Sequence, residues 1–222
     1  MRVKIYLGFY MFFMNRPPIL KPGESYTFRK YFELQFNTED ILAELGCSLG
    51  REEINLDQSK TINFPNLSEF KEKLVQNLKI VDLNSEAARR EVLIAPILLE
   101  LCNIVQAKLN IEYPIYVSDL LKGNLDYLVL SQSNVLVVEA KNADLSRGFT
   151  QLAVELIAVD SWTDSSAEIL YGAVTTGDIW RFGYLQRQER KIVQDINLYR
   201  VPADIEELLQ ILVNVVSGSY FV

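Results

Sequence analysis

The sequence predicts an α/β (α+β) fold, in which a mixed central β-sheet is flanked by helices. The chain has 222 residues, of which 49% are hydrophobic, so it can bury one sizeable core. From residue 85 onward the patterns run helix, three strands, helix, further strands and a terminal helix, an order typical of a mixed sheet covered by helices. Two of the strands are apolar runs separated by the polar "SQSN", which predicts an antiparallel pair with a tight turn.

The first 80 residues have a less regular pattern. We expect residues 1–80 to form an N-terminal elaboration packed on a core of residues 81–222. "YTFRKYFEL" (26–34) alternates like a strand, and "NLSEFKEKLVQNL" (66–78) predicts an amphipathic helix. "TEDILAELG" (38–46) predicts a short helix that Thr38 caps and Gly46 ends.

The core pattern begins with a helix over residues 85–109, which Ser85 is placed to cap. Pro96 should bend this helix, because an interior proline removes a backbone hydrogen bond and clashes with the preceding turn. The later elements are predicted in this order: strands in "EYPIYV", "LDYLVL" and "VLVVEAK", a helix in "SRGFTQLAVELIAVDSW", strands in "AEILYGAVTTG", "IWRFGYLQRQ" and "KIVQDINLYRV", and a helix in "ADIEELLQILVNVV".

The amino terminus, "MRVKIYLGFYMFFM", has a basic start and an apolar run, but no small-residue cleavage pattern follows. The run is also far shorter than the ~20 residues that span a bilayer. We expect an edge strand or a packed tail, with translation starting at Met1, Met11 or Met14. With no other targeting segment, the expected location is cytoplasmic and off the membrane, and Cys47 and Cys102 are expected to be buried thiols.

The composition excludes several kinds of site. The sequence contains no histidine, which rules out Ser-His-Asp and Cys-His triads, histidine bases and histidine metal ligands. Two cysteines are too few for a cysteine-rich zinc site. Metal chemistry would therefore depend on carboxylates, which favour hard ions such as Mg²⁺ or Mn²⁺. The net charge of −7 argues against a uniformly basic surface for nucleic acid, although a local basic cleft stays open.

Three charged residues lie in or beside the strand pair: Asp126, Glu139 and Lys141. If Leu130 faces Val135, the numbers of facing residues sum to 265, so Asp126 lies opposite Glu139. Lys141 then points to the same side as Glu139, one pair further along. Three ionisable groups are thus expected on one patch.

Two carboxylates that face each other across a strand pair destabilise it by roughly 0.2–1 kcal/mol. A divalent cation bound between them would make the arrangement favourable. Asp126 and Glu139 could bind Mg²⁺ with the backbone carbonyl of Ala140, while Lys141 would hold a nucleophilic water or neutralise charge on a phosphate. Two alternatives stay open. Lys141 and Glu139 could form a simple surface ion pair, or a one-residue register slip could put Asp126 on the other face.

"LD", twelve residues and then "EAK" resemble the PD-(D/E)XK nuclease superfamily, which has the restriction-endonuclease-like fold. Residues 123–125 stand where a proline often precedes the aspartate. The "FTQL" that follows resembles a branch in which a glutamine on the next helix, here Gln151, supports the site. "VTTGDIWRFGYL" is similar to the strand-turn-strand in the N-terminal nuclease domains of type I restriction subunits. The resemblance covers about residues 85–186.

The resemblance implies further site residues. The first core helix often supplies another acid, for which Glu86 is the first candidate and Glu91 the second. Glu86 could instead form an i,i+4 ion pair with Arg90, and Gln151 could be a solvated helix position. Two arginines, Arg147 and Arg181, are candidates for contacting a phosphate backbone, against the ordinary alternative of surface residues.

Taken with the resemblance, these residues predict a Mg²⁺-dependent (or Mn²⁺-dependent) nuclease that hydrolyses phosphodiester bonds in DNA. The alternative is a catalytically inactive nuclease-like module that binds nucleic acid or protein. A third interpretation is a small assembly protein, based on the aromatic amino terminus and the apolar "LVNVVSGSYFV" end. A homodimer through those termini is compatible with each interpretation.

Overall fold

The computed structural model describes residues 17–56, 64, 66–132 and 134–218, and it contains a mixed eight-stranded sheet with helices on both faces. This confirms the predicted fold class. The helices are α1 (Phe28–Glu33), α2 (Thr38–Glu44), α3 (Leu67–Ile80), α4 (Glu86–Arg89), α5 (Ala95–Val105), α6 (Leu145–Trp162) and α7 (Ile205–Ser217), and a π-helical turn, Arg90–Ile94, joins α4 to α5. The strands are β1 (Ser48–Glu52), β2 (Lys108–Ser118), β3 (Leu121–Leu130), β4 (Val135–Ala140), β5 (Ile169–Thr175), β6 (Ile179–Gln186), β7 (Lys191–Asp195) and β8 (Tyr199–Arg200).

The strands lie in the order β1-β7-β6-β5-β4-β3-β2, and β8 pairs with β6. The pairs β1/β7 and β4/β5 are parallel, and the other pairs are antiparallel. All six residues of β4 are buried, as expected for a central strand covered on both faces. One face packs against α3, α5 and α7, and the other packs against α1, α2 and α6.

The predicted strand over residues 26–34 is wrong, because this segment contains helix α1. Phe28 and Tyr31 are buried and Phe32 is partly buried, a spacing of i, i+3 and i+4 that belongs to one helix face. The alternating aromatic residues that predicted a strand also fit the spacing of a helix. The predicted cap of α2 is also wrong by one residue: Asn37 occupies the N-cap position, and the Thr38 hydroxyl forms a 2.7 Å hydrogen bond with the Thr150 hydroxyl.

The N-terminal segment is part of the same sheet, because β1 extends it by pairing parallel with β7. Helices α1 and α2 contact α6. The division into an elaboration of residues 1–80 and a core of residues 81–222 stays a prediction.

The first core helix begins as predicted, with the Ser85 hydroxyl accepting a hydrogen bond from the Ala88 amide at 3.1 Å. It then widens into the π-helical turn, in which the Ala95 amide donates to the Arg90 carbonyl five residues earlier. This turn ends at Ile94, two residues before Pro96, whose missing N–H and bulky ring disfavour regular α-helical bonding to the preceding turn. The irregular stretch carries Arg90 into the site described below.

The predicted register of β3 and β4 is confirmed, with Leu130 opposite Val135 and Tyr127 opposite Val138. The ladder ends at that second pair, one step before Asp126 and Glu139. The predicted strand over residues 191–201 is divided, since β7 and β8 pair separately with β6.

Gly123, near the start of β3, packs closely against Phe28 of α1. This glycine has a φ of +145°, and an added Cβ would lie 2.9 Å from Cδ2 of Phe28. We expect Gly123→Ala to lower the free energy of unfolding by about 1–3 kcal/mol, because the backbone is strained and the side chain clashes.

Urea denaturation of both proteins measures this loss, and Gly23→Ala is the matched control. Gly23 also has a positive φ, of +79°, but an added Cβ there meets no heavy atom within 4 Å. Equal losses in the two variants would show that the contact with Phe28 contributes nothing.

Cys47 and Cys102 are free and buried, which confirms the prediction of two buried thiols. Among the described residues, no helix is long and apolar enough to cross a membrane. The predictions for the amino terminus, including the start at Met1, Met11 or Met14, lie outside the described residues. The same is true of residues 219–222 in the apolar carboxyl end.

Candidate active site

A cavity of about 820 Å³ opens where α1, the start of the first core helix, the ends of β3 and β4, and the start of α6 meet. It brings together the five predicted side chains, Asp126, Glu139, Lys141, Gln151 and Glu86. The other residues lining it are Thr27, Phe28, Arg29, Phe32, Glu33, Arg90, Glu112, Gly123, Asn124, Asn142, Ala143 and Asp144.

Asp126 lies at the point where β3 and β4 stop pairing. Its Oδ2 accepts a hydrogen bond from the Ala140 amide at 2.8 Å, and its Oδ1 lies 3.6 Å from Nη1 of Arg90. Burial raises the pKa of Asp126, although the Ala140 hydrogen bond and the cations Lys141 and Arg90 oppose that effect. The carboxylate is thus held at the cavity wall by one backbone bond and a nearby arginine.

Glu139 and Lys141 form an ion pair, but it is not the surface pair considered as an alternative. The side chains of Lys141 and Glu139 are only 11% and 1% exposed. Burial, together with the charges of Glu155 and Asp126, raises the pKa of Glu139 well above its ordinary range. Burial lowers the pKa of Lys141, but the carboxylates of Glu139 and Asp126 outweigh that effect and raise it.

The Lys141 side chain contacts two helices. Its stem lies against Gly148 of α6, where an added Cβ would lie 2.8 Å from Cγ of Lys141. Its ammonium nitrogen lies 5.1 Å from the ring centroid of Phe32 of α1. The lysine stem therefore occupies space that exists only because residue 148 has no side chain.

Gln151 and Glu155 lie one turn apart on α6, and both are buried. Gln151 is therefore not the solvated position considered as an alternative. Its amide nitrogen donates to Oε1 of Glu155 at 2.9 Å. Burial raises the pKa of Glu155 to about 8, while its interactions with Gln151 and Glu139 oppose that shift. Burial and the repulsion between two adjacent carboxylates therefore both disfavour the state in which Glu139 and Glu155 are ionised together.

Glu86 lines the cavity and contributes to raising the pKa of Lys141. Arg90 does not serve mainly as its partner on the helix, because its Nη1 donates to Oε1 of Glu112 at 2.5 Å. The same guanidinium lies over the Tyr127 ring, 5.1 Å from its centroid. Arg90 thereby joins the first core helix to β2 and β3 at the cavity.

The remaining candidates do not line the cavity. Glu91 is exposed in the π-helical turn. Arg147 is half exposed, and its Nε lies 3.4 Å from Oδ2 of Asp144. Arg181 is partly buried on β6, where burial lowers its pKa and the charge of Asp195 opposes this shift.

Several buried oxygens of the site have the chemistry that a hard divalent cation prefers. Oε2 of Glu139, Oε2 of Glu155 and Oε1 of Gln151 are buried and have no hydrogen-bond partner. Buried oxygens of this kind are stabilised by a hydrogen-bond donor or a cation. Within the described ranges, no three histidine, cysteine, aspartate or glutamate side chains are grouped to hold a metal by themselves. Mg²⁺ commonly uses one or two carboxylates and takes its other ligands from water and phosphate, so Asp126 and Glu139 fit such an ion. The third predicted ligand, Ala140, is fully buried and does not line the cavity.

Glu155 and Phe32 are among the site residues that were not predicted from the sequence. Glu155 could have been found, because it is a charged residue four positions after Gln151 on a helix that is apolar on the neighbouring positions Val154 and Ala158. Phe32 carried no comparable signal, since it lies more than one hundred residues before Lys141, which its ring meets.

The chain matches no family model, and neither the curated proteins nor the solved structures contain a significant match.

Proposed function

We propose that this protein is a Mg²⁺-dependent or Mn²⁺-dependent nuclease of the PD-(D/E)XK type that hydrolyses phosphodiester bonds in DNA. The observation that carries the proposal is the convergence of Asp126, Glu139 and Lys141 on one cavity at the end of two paired strands. In the resemblance noted above, these are the motif aspartate, the motif acid and the motif lysine. Their spacing along the chain and their shared cavity support the same role.

The charge of the cavity also supports a cation site. Six of the lining residues are acidic and three are basic: Glu33, Glu86, Glu112, Asp126, Glu139 and Asp144 against Arg29, Arg90 and Lys141. A phosphate would meet repulsion from this excess of carboxylates. A bound divalent cation reverses that balance, polarises the phosphoryl oxygen and lowers the pKa of a bound water.

The chain's own residues have distinct tasks in such a reaction. Asp126 and Glu139 would hold the ion, and Arg90 would keep Asp126 oriented from 3.6 Å. Lys141 would orient the attacking water or neutralise charge that develops on the phosphate. Glu86 and Gln151, from the two flanking helices, would bind water at the edges of the site.

Mn²⁺ should bind the metal-free protein, and its affinity should rise with pH up to about 8. Ligand carboxyls must lose their protons before they bind a cation, and burial raises the pKa of Glu139 and, to about 8, that of Glu155. Isothermal titration calorimetry at pH 6 and pH 8 measures the affinity. Asp126→Asn should weaken binding at least about tenfold.

The matched control is Asp82→Asn, which removes an exposed carboxylate outside the cavity and should bind Mn²⁺ like the original protein. The decisive functional experiment incubates the protein with supercoiled plasmid and branched DNA in Mg²⁺, Mn²⁺ or EDTA. Cleavage that requires the metal supports the proposal, and intact DNA under all three conditions contradicts it.

The second candidate function is a nuclease-like module that binds DNA or protein without cutting. It is favoured by one observation, that Lys141 already pairs with Oε1 of Glu139 in a buried ion pair. A pair of this kind can be structural. Failure of Mn²⁺ to bind or to stabilise the protein would select this alternative.

A further inference from the structure

Helix α1 and the two residues before it are attached to the β2–β3 turn and the start of β3. The Tyr26 amide donates to the Asp119 carbonyl at 2.8 Å, and Thr27 forms a bridge with Lys122. The Tyr31 hydroxyl donates to the Leu120 carbonyl, also at 2.8 Å. These bonds determine which face of α1 is turned toward the cavity.

The Phe32 side chain lies on that face and lines the cavity. Its ring centroid is 5.1 Å from the Lys141 ammonium nitrogen, within the range of a cation–π contact. Nearer the backbone, the absence of a side chain at Gly148 makes room for the lysine stem. A lysine has four methylene groups and loses considerable rotamer freedom when it is fixed, so these two boundaries restrict where its charge can lie.

We propose that Phe32 is a positioning residue for Lys141, holding the ammonium group in the cavity where the scissile phosphate would bind. This inference rests on the proposed nuclease function. It places part of the active site on the N-terminal segment, outside the region that resembles the nuclease superfamily. The role belongs to the ring face, because its negative quadrupole attracts a cation, whereas an aliphatic side chain would only fill the volume.

The placement can be measured without activity. In the metal-free protein with ¹³C-labelled lysine, the Lys141 ε-methylene protons should show an upfield ring-current shift, assigned by comparison with Lys141→Arg. The shift should persist in Phe32→Tyr and disappear in Phe32→Leu. Phe36→Leu is the matched control, because Phe36 is 52% exposed and lies outside the cavity.

The kinetic consequence is measured on the same variants. Phe32→Leu should lower kcat about tenfold with KM unchanged, as expected for the loss of a partly desolvated cation–π contact, and Phe32→Tyr should restore the rate. Circular dichroism checks folding, and Phe32→Met replaces Phe32→Leu if that variant does not fold.

An unchanged Lys141 shift in Phe32→Leu would overturn the inference, as would equal rate losses in Phe32→Tyr and Phe32→Leu. If no variant and no original protein cleaves DNA, the proposed function fails. The NMR result then decides separately whether Phe32 positions Lys141, because it requires neither metal nor substrate.

Discussion

Asp126→Asn is expected to lower the rate of metal-dependent DNA cleavage at least about 10²-fold while the fold stays intact. The substitution removes the negative charge that the cation requires. It keeps an oxygen that can accept the 2.8 Å hydrogen bond from the Ala140 amide, so the junction of β3 and β4 should survive. Initial rates on plasmid DNA in Mg²⁺ measure the effect, and thermal unfolding monitors the fold.

Asp82→Asn again provides the comparison, because it removes one charge of the same sign from an exposed position. Its cleavage rate should equal that of the original protein. A rate for Asp126→Asn within about twofold of the original would exclude Asp126 from the site. A large loss of thermal stability in that variant would instead assign Asp126 a structural role.

Glu155→Gln is expected to make the metal-free protein more stable at pH 8, by on the order of 1–3 kcal/mol, with little change at pH 5. Burial raises the pKa of Glu155 to about 8 in the folded protein, compared with about 4.3 in an unfolded chain. The folded state therefore retains a proton that the unfolded state has already released. The contribution of Glu155 to the free energy of unfolding is therefore fully present below about pH 4.3 and is lost as the pH rises to about 8.

Glutamine cannot ionise. The stability of the variant should therefore fall less than that of the original protein as the pH rises to about 8. Its amide can still accept the hydrogen bond from Gln151 and donate one to Glu139. Urea denaturation in EDTA at several pH values measures both proteins. Glu72→Gln, which changes an exposed glutamate on α3, should follow the original curve. Parallel curves for Glu155→Gln and the original would show that Glu155 is not the titrating group.

The elements with strong local signals could be predicted from the sequence. A polar four-residue turn between apolar runs fixes the pairing of β3 and β4, and Leu130 does lie opposite Val135. The start of the first core helix was predicted from Ser85, whose hydroxyl caps it. The meeting of Asp126, Glu139 and Lys141 followed from these local patterns, since it required only the register of one strand pair.

Features that depend on distant contacts could not be predicted in this way. The aromatic residues of 26–34 fit both an alternating and a helical pattern, and only the docking of Phe28 on β3 and of Tyr31 on the β2–β3 turn selects the helix. Likewise, the interaction of Phe32 with Lys141 joins parts of the chain that no local pattern relates. Thr38 was expected to cap α2 because its hydroxyl suits that position, but the hydroxyl bonds instead to Thr150 on another helix.

The docking of α1 also bears on the order in which the protein is assembled. A helix of six residues is not stable alone in water, so α1 gains its shape from the surface that it covers. The Tyr31 hydroxyl bonds to a carbonyl 89 residues later in the chain. During synthesis, residues 28–33 emerge first but must await the β2–β3 hairpin. The wall that carries Phe32 therefore cannot form before this hairpin has been synthesised.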